Sequence, residues 1–346
     1  MKALILIAAV TVSALAVDLT VGNVTARSGE RVNGWLAVPA ASDAAANIPV
    51  ILVNGAKPGP TIAFVAGAHG TEYASILALQ KLAHAIDPVA LSGSVIIAPL
   101  LNIGSFSQIV PHLNPIDQKN MNRYYPGKSD GTQTERISWA VTRQILDKSD
   151  YLVDFHGGDL DENLRRYSYW ADTGNEKVDS TSRGIVLAFG LDHIIIQKNR
   201  TPPAAGAPIT ITRHFQMMGK PAIAVEAGHA GTTTAGDIAV LVDGSLNVMR
   251  HLKMLPGAVR PVEQPVWLAN AATATADRDG VFYPLAVPEG YVRKGMAVGY
   301  LTDYFGDKLS DVVAPASGVV VYIRAVPSAK KGDTLVYIGE IVEPPL

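Results

Sequence analysis

Cysteine is absent from the chain. Its absence removes disulfides, thiolate nucleophiles and cysteinyl metal sites together, so any metal held here must be taken by histidine and carboxylates. Runs rich in lysine and arginine are also missing, and 29 basic residues against 31 acidic ones leave a formal net charge of −2. Such a balance offers no electrostatic footprint for nucleic acid or for an anionic membrane surface. No apolar run reaches the roughly 20 residues of a membrane-spanning helix. Internal repeats and low-complexity tracts are absent too. What the chain does have is 346 residues, 48% of them hydrophobic and 17% charged. That is enough to bury a sizeable core, as two domains or as one large domain with an appendage.

Residues 1–16 read as a secretory signal. Lys2 supplies a positive start, Ala3 to Val12 is apolar, and Ser13-Ala14-Leu15-Ala16 offers an Ala-x-Ala cleavage site. A periplasmic or secreted protein beginning at Val17 follows from that reading. The rival makes Leu4 to Val12 the first core strand of a cytoplasmic protein, because a buried strand has much the same composition.

The most informative stretch is Gly67-Ala68-His69-Gly70-Thr71-Glu72-Tyr73. It follows the apolar run Thr61 to Ala66 and precedes an apolar-periodic segment from Ser75 to Ile86, so a buried strand ends at a glycine-flanked turn and a helix begins. Ligands bind at such strand ends in open α/β sheets. Residues three apart on a helix share a face, and one metal could take both His69 and Glu72. A plain helix N-terminus with an acidic first turn is the alternative.

Val17 to Ile51 is short and alternating, as in strands at a sheet edge. Further strands are predicted over Ser94 to Leu100, Tyr151 to Phe155, His193 to Ile196 and Pro221 to Val225. Helices are predicted over Thr134 to Lys148, Asn175 to Gly190, Ile209 to Met218 and Ala235 to Leu255. The segment Leu101 to Thr132 lacks periodicity and carries three prolines, the mark of a long functional loop. Alternating strands and helices predict an α/β fold with a mostly parallel, mixed sheet flanked by helices, over residues 17–258. After Pro256-Gly257 the segments are short and glycine-separated, which predicts a small all-β domain over residues 259–346.

Three predicted strands end in groups suited to metal chemistry: His69 with Glu72, then His156, then Glu226. Catalytic zinc typically keeps three protein ligands and an open position, and two histidines with one glutamate are an established set. Hydrolysis then needs a free carboxylate to take the proton of the attacking water, and Glu226 is the candidate. Asn122-Arg123 in the long loop suits a substrate carboxylate. Each residue has a plainer role open to it: a satisfied core histidine, a strand-end cap, a guanidinium stacked on Tyr124 and Tyr125.

Gly67 to Tyr73, then Asn114 to Gly127 (NPIDQKNMNRYYPG), then Asp154 to Gly158 (DFHGG), then Ala224 to Gly228 (AVEAG) together resemble the succinylglutamate desuccinylase/aspartoacylase family, a branch of the zinc carboxypeptidase superfamily. The resemblance covers about residues 50 to 250. It implies a carboxypeptidase-like fold and one zinc ion per chain on His69, Glu72 and His156. It further implies Glu226 as general base and Asn122 and Arg123 as the binders of substrate carboxylate. The implied reaction cleaves the amide bond of a small N-acyl amino acid. Where family members have an arginine ahead of the PIDGKNLNR-type segment, this chain has His112, to which the oxyanion role passes, and Gln118 stands for a usual glycine. Arg165 and Arg166 are other basic residues nearby. The C-terminal segment resembles the family's β appendage, of biotinyl/lipoyl-like barrel pattern, with Lys308 as an ordinary surface lysine. Two other functions fit the same residues: a zinc carboxypeptidase acting on a small or cell-wall peptide, and a metal-holding binding protein with weakened catalysis. A homo-oligomer is compatible with all three.

Overall fold

The computed structural model describes residues 17–269 and 272–345. Residues 1–16, read above as a signal, lie outside them. Ten strands form one mixed sheet. From one edge to the other they are Ile341–Val342, Val266–Leu268, His193–Lys198, Tyr167–Asp172, Ala222–Glu226, Tyr151–His156, Lys57–Ala66, Ser92–Ala98, Ala46–Asn54 and Glu30–Val38. The four central strands from Ala222–Glu226 to Ser92–Ala98 run parallel to one another. Antiparallel pairings lie towards both edges, at Ala46–Asn54 and at Tyr167–Asp172.

The central strands are apolar on both faces because helices cover both. Along Lys57–Ala66, Ile62, Phe64 and Ala66 pack on one side, with the helices Tyr73–Ala85, Glu176–Phe189 and Ala235–His251. Ala63 and Val65 pack on the other, with Gln133–Val141 and Ile211–Met217. That is the period of two that sends successive side chains to opposite faces. The helix starts carry the expected caps. Thr132 and Glu135 form a reciprocal capping box, and the Thr234 hydroxyl accepts from the Asp237 N–H at 3.1 Å.

Several elements depart from the sequence-based expectation. The helix predicted to Lys148 ends at Val141 and continues as one wider turn, Thr142–Leu146. The helix predicted to Leu255 ends at His251. The long loop holds a short helix, Ile103–Gln108, and a single 3-10 turn, Met121–Arg123. The strands Glu162–Leu164 and Tyr167–Asp172 fall where no element is predicted, since tyrosine and serine hydroxyls break up the apolar signal.

Beyond residue 258 the chain first adds Val266–Leu268 to the large sheet and only then enters an all-β region. There a four-stranded and a five-stranded sheet share a core that includes Phe282, Leu301, Val320 and Ile338. The fifth strand of one sheet is Glu162–Leu164, lent by the α/β region and paired with Gly318–Arg324. The chain then returns Ile341–Val342 to the edge of the large sheet. Lys308 lies on this region's surface in an ion pair with Asp311 at 2.7 Å. No helix among the described residues is long and apolar enough to cross a membrane.

Phe155 sits at the centre of this packing, fully buried, with the rings of Phe64 and Phe189 each 5.9 Å away, edge to face. Phe155→Ala is expected to lower the unfolding free energy by about 3–5 kcal/mol, measured by urea denaturation.

Candidate active site

The parallel register lines up the ends of three neighbouring strands. Ala66 pairs with Phe155, and Glu226 lies directly beside His156. The side chains that follow or end these strands therefore open onto one mouth. Gly67 makes the turn possible at a φ of +66°, and an added Cβ would press on Leu100. His69 and Glu72 do not share a helix face: both lie in the turn before the helix, which begins at Tyr73. The turn is closed by the Glu72 N–H donating to the His69 carbonyl at 3.4 Å, and the Ser75 hydroxyl fixes the Glu72 carbonyl at 2.7 Å.

Glu72 is buried, and each of its oxygens faces one imidazole. Oε1 is 2.6 Å from His69 Nδ1 and Oε2 is 2.9 Å from His156 Nδ1. Burial opposes the charge of this carboxylate, but the two imidazoles outweigh it and hold the pKa down at about 2. One donor atom from each of His69, Glu72 and His156 lies within 4.8 Å of the others, a set that could hold a metal ion. The far nitrogens are braced as ligand histidines require. His69 Nε2 meets Asn120 Oδ1 at 3.1 Å, and His156 Nε2–H donates to Asp154 Oδ2 at 3.0 Å. Two hard-to-place imidazoles are thus turned towards one carboxylate. That fits a divalent ion favouring nitrogen and oxygen donors.

Asp154 was not among the residues singled out, although its spacing was legible: two residues before His156 on a strand, it shares that residue's face. Asn120 lies in the long loop, where spacing carries no such information. Asn122 is buried. Its Oδ1 accepts from the Ile211 N–H at 3.0 Å, and its Nδ2 is 3.0 Å from His156 Nε2. Arg123 is exposed and lines the cavity, its Nη1 donating to the Asn122 carbonyl at 2.7 Å. The cation over Tyr124 is Lys119, 4.7 Å from the ring centre.

His69, Glu72, Asn122, Arg123, Asp154 and His156 line a cavity of about 500 Å³. Glu226 is at its wall, and burial pushes its carboxyl well above the usual range. The neighbouring carboxylates Glu72, Glu162 and Asp154 add to the rise, while His156 opposes it. Glu162, unremarked in the sequence, lines the same wall with a pKa raised to about 7, chiefly by burial and then by Glu72. The hydroxyls of Tyr167 and Tyr169 lie 3.2 Å apart on the strand beside Glu226. Thr273, Tyr322, Thr334 and Tyr337 of the all-β region also line the cavity.

His112 lies outside this lining. Its Nε2 is 2.8 Å from Asp161 Oδ1, its Nδ1 is 3.3 Å from Asp159 Oδ2, and its ring centre is 6.0 Å from that of His69. Both nitrogens thus have carboxylate partners within the protein. Asp159 in turn accepts from the His112 N–H and from the Thr71 hydroxyl, tying the loop to the His69 turn. Arg165 is buried with its Nη2 3.6 Å from Asp192, and Arg166 donates to Asp237 at 2.8 Å, so neither reaches the cavity.

Residues 58–252 match the succinylglutamate desuccinylase/aspartoacylase catalytic domain. The chain belongs to this family. It is 27% identical over 323 residues to N-alpha-acetyl-L-2,4-diaminobutyric acid deacetylase of Halomonas elongata, spanning 90% of this chain and 92% of that protein. The product-bound ectoine utilization protein EutE (DoeB) from Ruegeria pomeroyi superposes with a TM-score of 0.80 at 25% identity, over 89% of this chain and 95% of that one. A succinylglutamate desuccinylase from Silicibacter sp. TM1040 shares the fold, with a TM-score of 0.80 at 24% identity over 90% and 95% of the two chains. The desuccinylase/aspartoacylase family is one of N-acyl amino acid deacylases, and its defining domain spans His69, Glu72, His156 and Glu226.

Despite its partial exposure, His112 is held protonated to about pH 9. Burial opposes this, and the bond to Asp161 with the charges of Asp159, Glu162 and Asp161 overcomes it. A histidine whose folded pKa exceeds its unfolded value near 6.5 stabilises fully below pH 6.5, and that stability is lost as pH rises through about 9. With its solvent exposure discounted, about 1–2 kcal/mol is expected to disappear over that window. In His112→Asn, which tolerates the backbone φ of +59°, the loss should be absent. Urea unfolding of metal-stripped protein at pH 6 and pH 9.5 checks this.

Proposed function

We propose that the chain is a zinc-dependent deacylase that hydrolyses the amide bond of a small N-acyl amino acid, releasing a carboxylate and an amine. The observation that carries the proposal is the convergence of two imidazoles and a carboxylate on one point, with a separate glutamate in register beside them at the wall of the same cavity. His69, Glu72 and His156 would hold one zinc ion, with Asn120 and Asp154 orienting the two rings. Bound there, zinc supplies Lewis-acid polarisation of the acyl carbonyl and lowers the pKa of water towards 7.

The remaining work falls to the chain's own groups. Glu226 takes a proton from the attacking water and delivers it to the nitrogen as the C–N bond breaks. Burial raises its pKa, which favours its holding that proton between the two transfers. Arg123, at the cavity wall with its guanidinium anchored on the Asn122 carbonyl, takes the substrate's α-carboxylate. Asn122 holds the loop to Ile211 and so fixes where that guanidinium sits. With both His112 nitrogens on carboxylates, its part is to anchor the loop, and the oxyanion falls to groups that line the cavity. The all-β region adds Tyr322 and Tyr337 to the lining of this cavity of about 500 Å³, a size that favours a small substrate over a peptide.

Purified protein is expected to hold about one zinc per chain, and His69→Ala to hold none, by elemental analysis. Glu226→Gln should keep the metal and lose about 100- to 10,000-fold in kcat. Assays against N-acetyl and N-succinyl amino acids, Nα-acetyl-2,4-diaminobutyrate among them, read the activity. Unchanged turnover in Glu226→Gln removes that residue from the mechanism, and a wild type that takes up no zinc removes the reading altogether.

A further inference from the structure

The charged lining of the cavity can be counted. The donor set, Asp154 behind His156, and Glu226 are all accounted for by the proposed hydrolysis. With Arg123 on the α-carboxylate, one charged side chain of the lining remains, Glu162. Among the described residues, Arg123 is the one lysine or arginine on the lining. A substrate with several carboxylates, as in N-succinylglutamate, would bring three anionic groups to a cavity with one guanidinium and a surplus of glutamate. Its like charges would stand against buried carboxylates, an arrangement that disfavours binding.

Glu162 is held firmly. Its carbonyl accepts from the Ala230 N–H at 2.7 Å, its own N–H donates to the Asp159 carbonyl at 2.9 Å, and its strand is clamped by Gly318–Arg324. Arg324, opposite Glu162 in the pairing, is committed to Asp161 and Asp333 rather than to Glu162. Gly158 lies so close that a Cβ there would come within 2.3 Å of the Glu162 carbonyl. The carboxylate itself accepts one hydrogen bond among the described residues, from the Asp159 N–H to Oε2 at 3.1 Å. Among the described residues no hydrogen-bond donor meets Oε1, which leaves it for a donor from a ligand.

Resting on the deacylase reading, we propose that the substrate is an N-acyl amino acid with a cationic side chain, and that Glu162 is the residue that receives its ammonium group. Arg123 and Glu162 then form a complementary pair of opposite sign at the cavity wall. One takes the α-carboxylate and the other takes the side-chain amine, leaving the acyl amide between them facing the donor set. Selectivity follows from both halves. The pair rewards a substrate of matching charges, and the buried carboxylate rejects a second acidic group.

The test uses zinc-loaded full-length protein, wild type and Glu162→Gln, the variant keeping an oxygen for the Asp159 N–H. Nα-acetyl-2,4-diaminobutyrate and Nα-acetylornithine are compared with Nα-acetyl-2-aminobutyrate and Nα-acetylnorvaline, which lack only the terminal amine, and with N-acetylglutamate. The wild type is expected to prefer the amine-bearing member of each pair by about 10- to 100-fold in kcat/KM, and Glu162→Gln to erase most of that ratio through KM. Equal loss on both members of a pair, or a wild-type preference for N-acetylglutamate, overturns the proposal. Calorimetric binding of 2,4-diaminobutyrate and of 2-aminobutyrate separates the two claims. Glu162-dependent binding of the diamine without turnover of any substrate sinks the deacylase reading and retains the cationic ligand. Turnover with no amine preference does the reverse. Should Glu162→Gln fail to fold, the wild-type ratios alone decide.

Discussion

Glu72 is a carboxylate buried between two imidazoles, and that burial dictates where much of the surrounding chain must be. A buried carboxylate is tolerated when each oxygen has a positively polarised partner. Here the partners are His69 Nδ1 and His156 Nδ1, one from the same turn and one from the neighbouring strand. Each ring can offer Nδ1 only because something else holds Nε2, and that brings in Asn120 and Asp154. The requirement propagates through the fold. His156 can reach Glu72 only if the strands Lys57–Ala66 and Tyr151–His156 are parallel and in register. Asn120 can reach His69 only if the long loop folds back across the mouth. Asp159 helps by joining the loop at His112 to the turn at Thr71.

The all-β region is bound into this arrangement rather than appended to it. It borrows Glu162–Leu164 as a sheet strand and returns Ile341–Val342 to the edge of the large sheet. Two strand pairings in opposite directions resist hinge motion far better than one linker does, since each would have to break a backbone ladder. One wall of the cavity thus belongs to both regions, with Glu162 on the borrowed strand and Tyr322 on its partner, two positions out of register with it.

How legible this was in the sequence follows from where each residue sits. His69, Glu72, His156 and Glu226 end or follow apolar runs, so a strand-end argument reaches all four. Asp154 could have been reached by the same logic, because alternate residues on a strand share a face. The helix-face argument joins His69 and Glu72, which the structure also brings together, but through a turn and not a helix. Glu162 was beyond reach. Its strand exists because residues 318–324, more than 150 positions away, pair with it, and no local periodicity encodes such a partner. His112 shows what a sequence conceals about a side chain's partners. As the nearest basic residue it looked available to an oxyanion, but Asp159 and Asp161 sit elsewhere in the chain and claim both nitrogens.

The mouth of the sheet carries more negative charge than its own cations can balance. Glu72, Asp154, Glu162 and Glu226 converge there, and the protein answers with two imidazoles and one guanidinium. Glu72 takes the imidazoles and stays ionised, whereas Glu226 and Glu162 are driven upward towards their neutral forms. A fold selected for stability alone has no use for such a surplus, since like charges in a cavity raise one another's pKa and weaken the folded state. The surplus becomes intelligible when positive charge arrives from outside. In the proposed reading it does so twice: as a metal ion against Glu72 and the imidazoles, and as a substrate ammonium against Glu162. The two arrivals serve different ends, because the first supports the chemistry and the second selects what undergoes it.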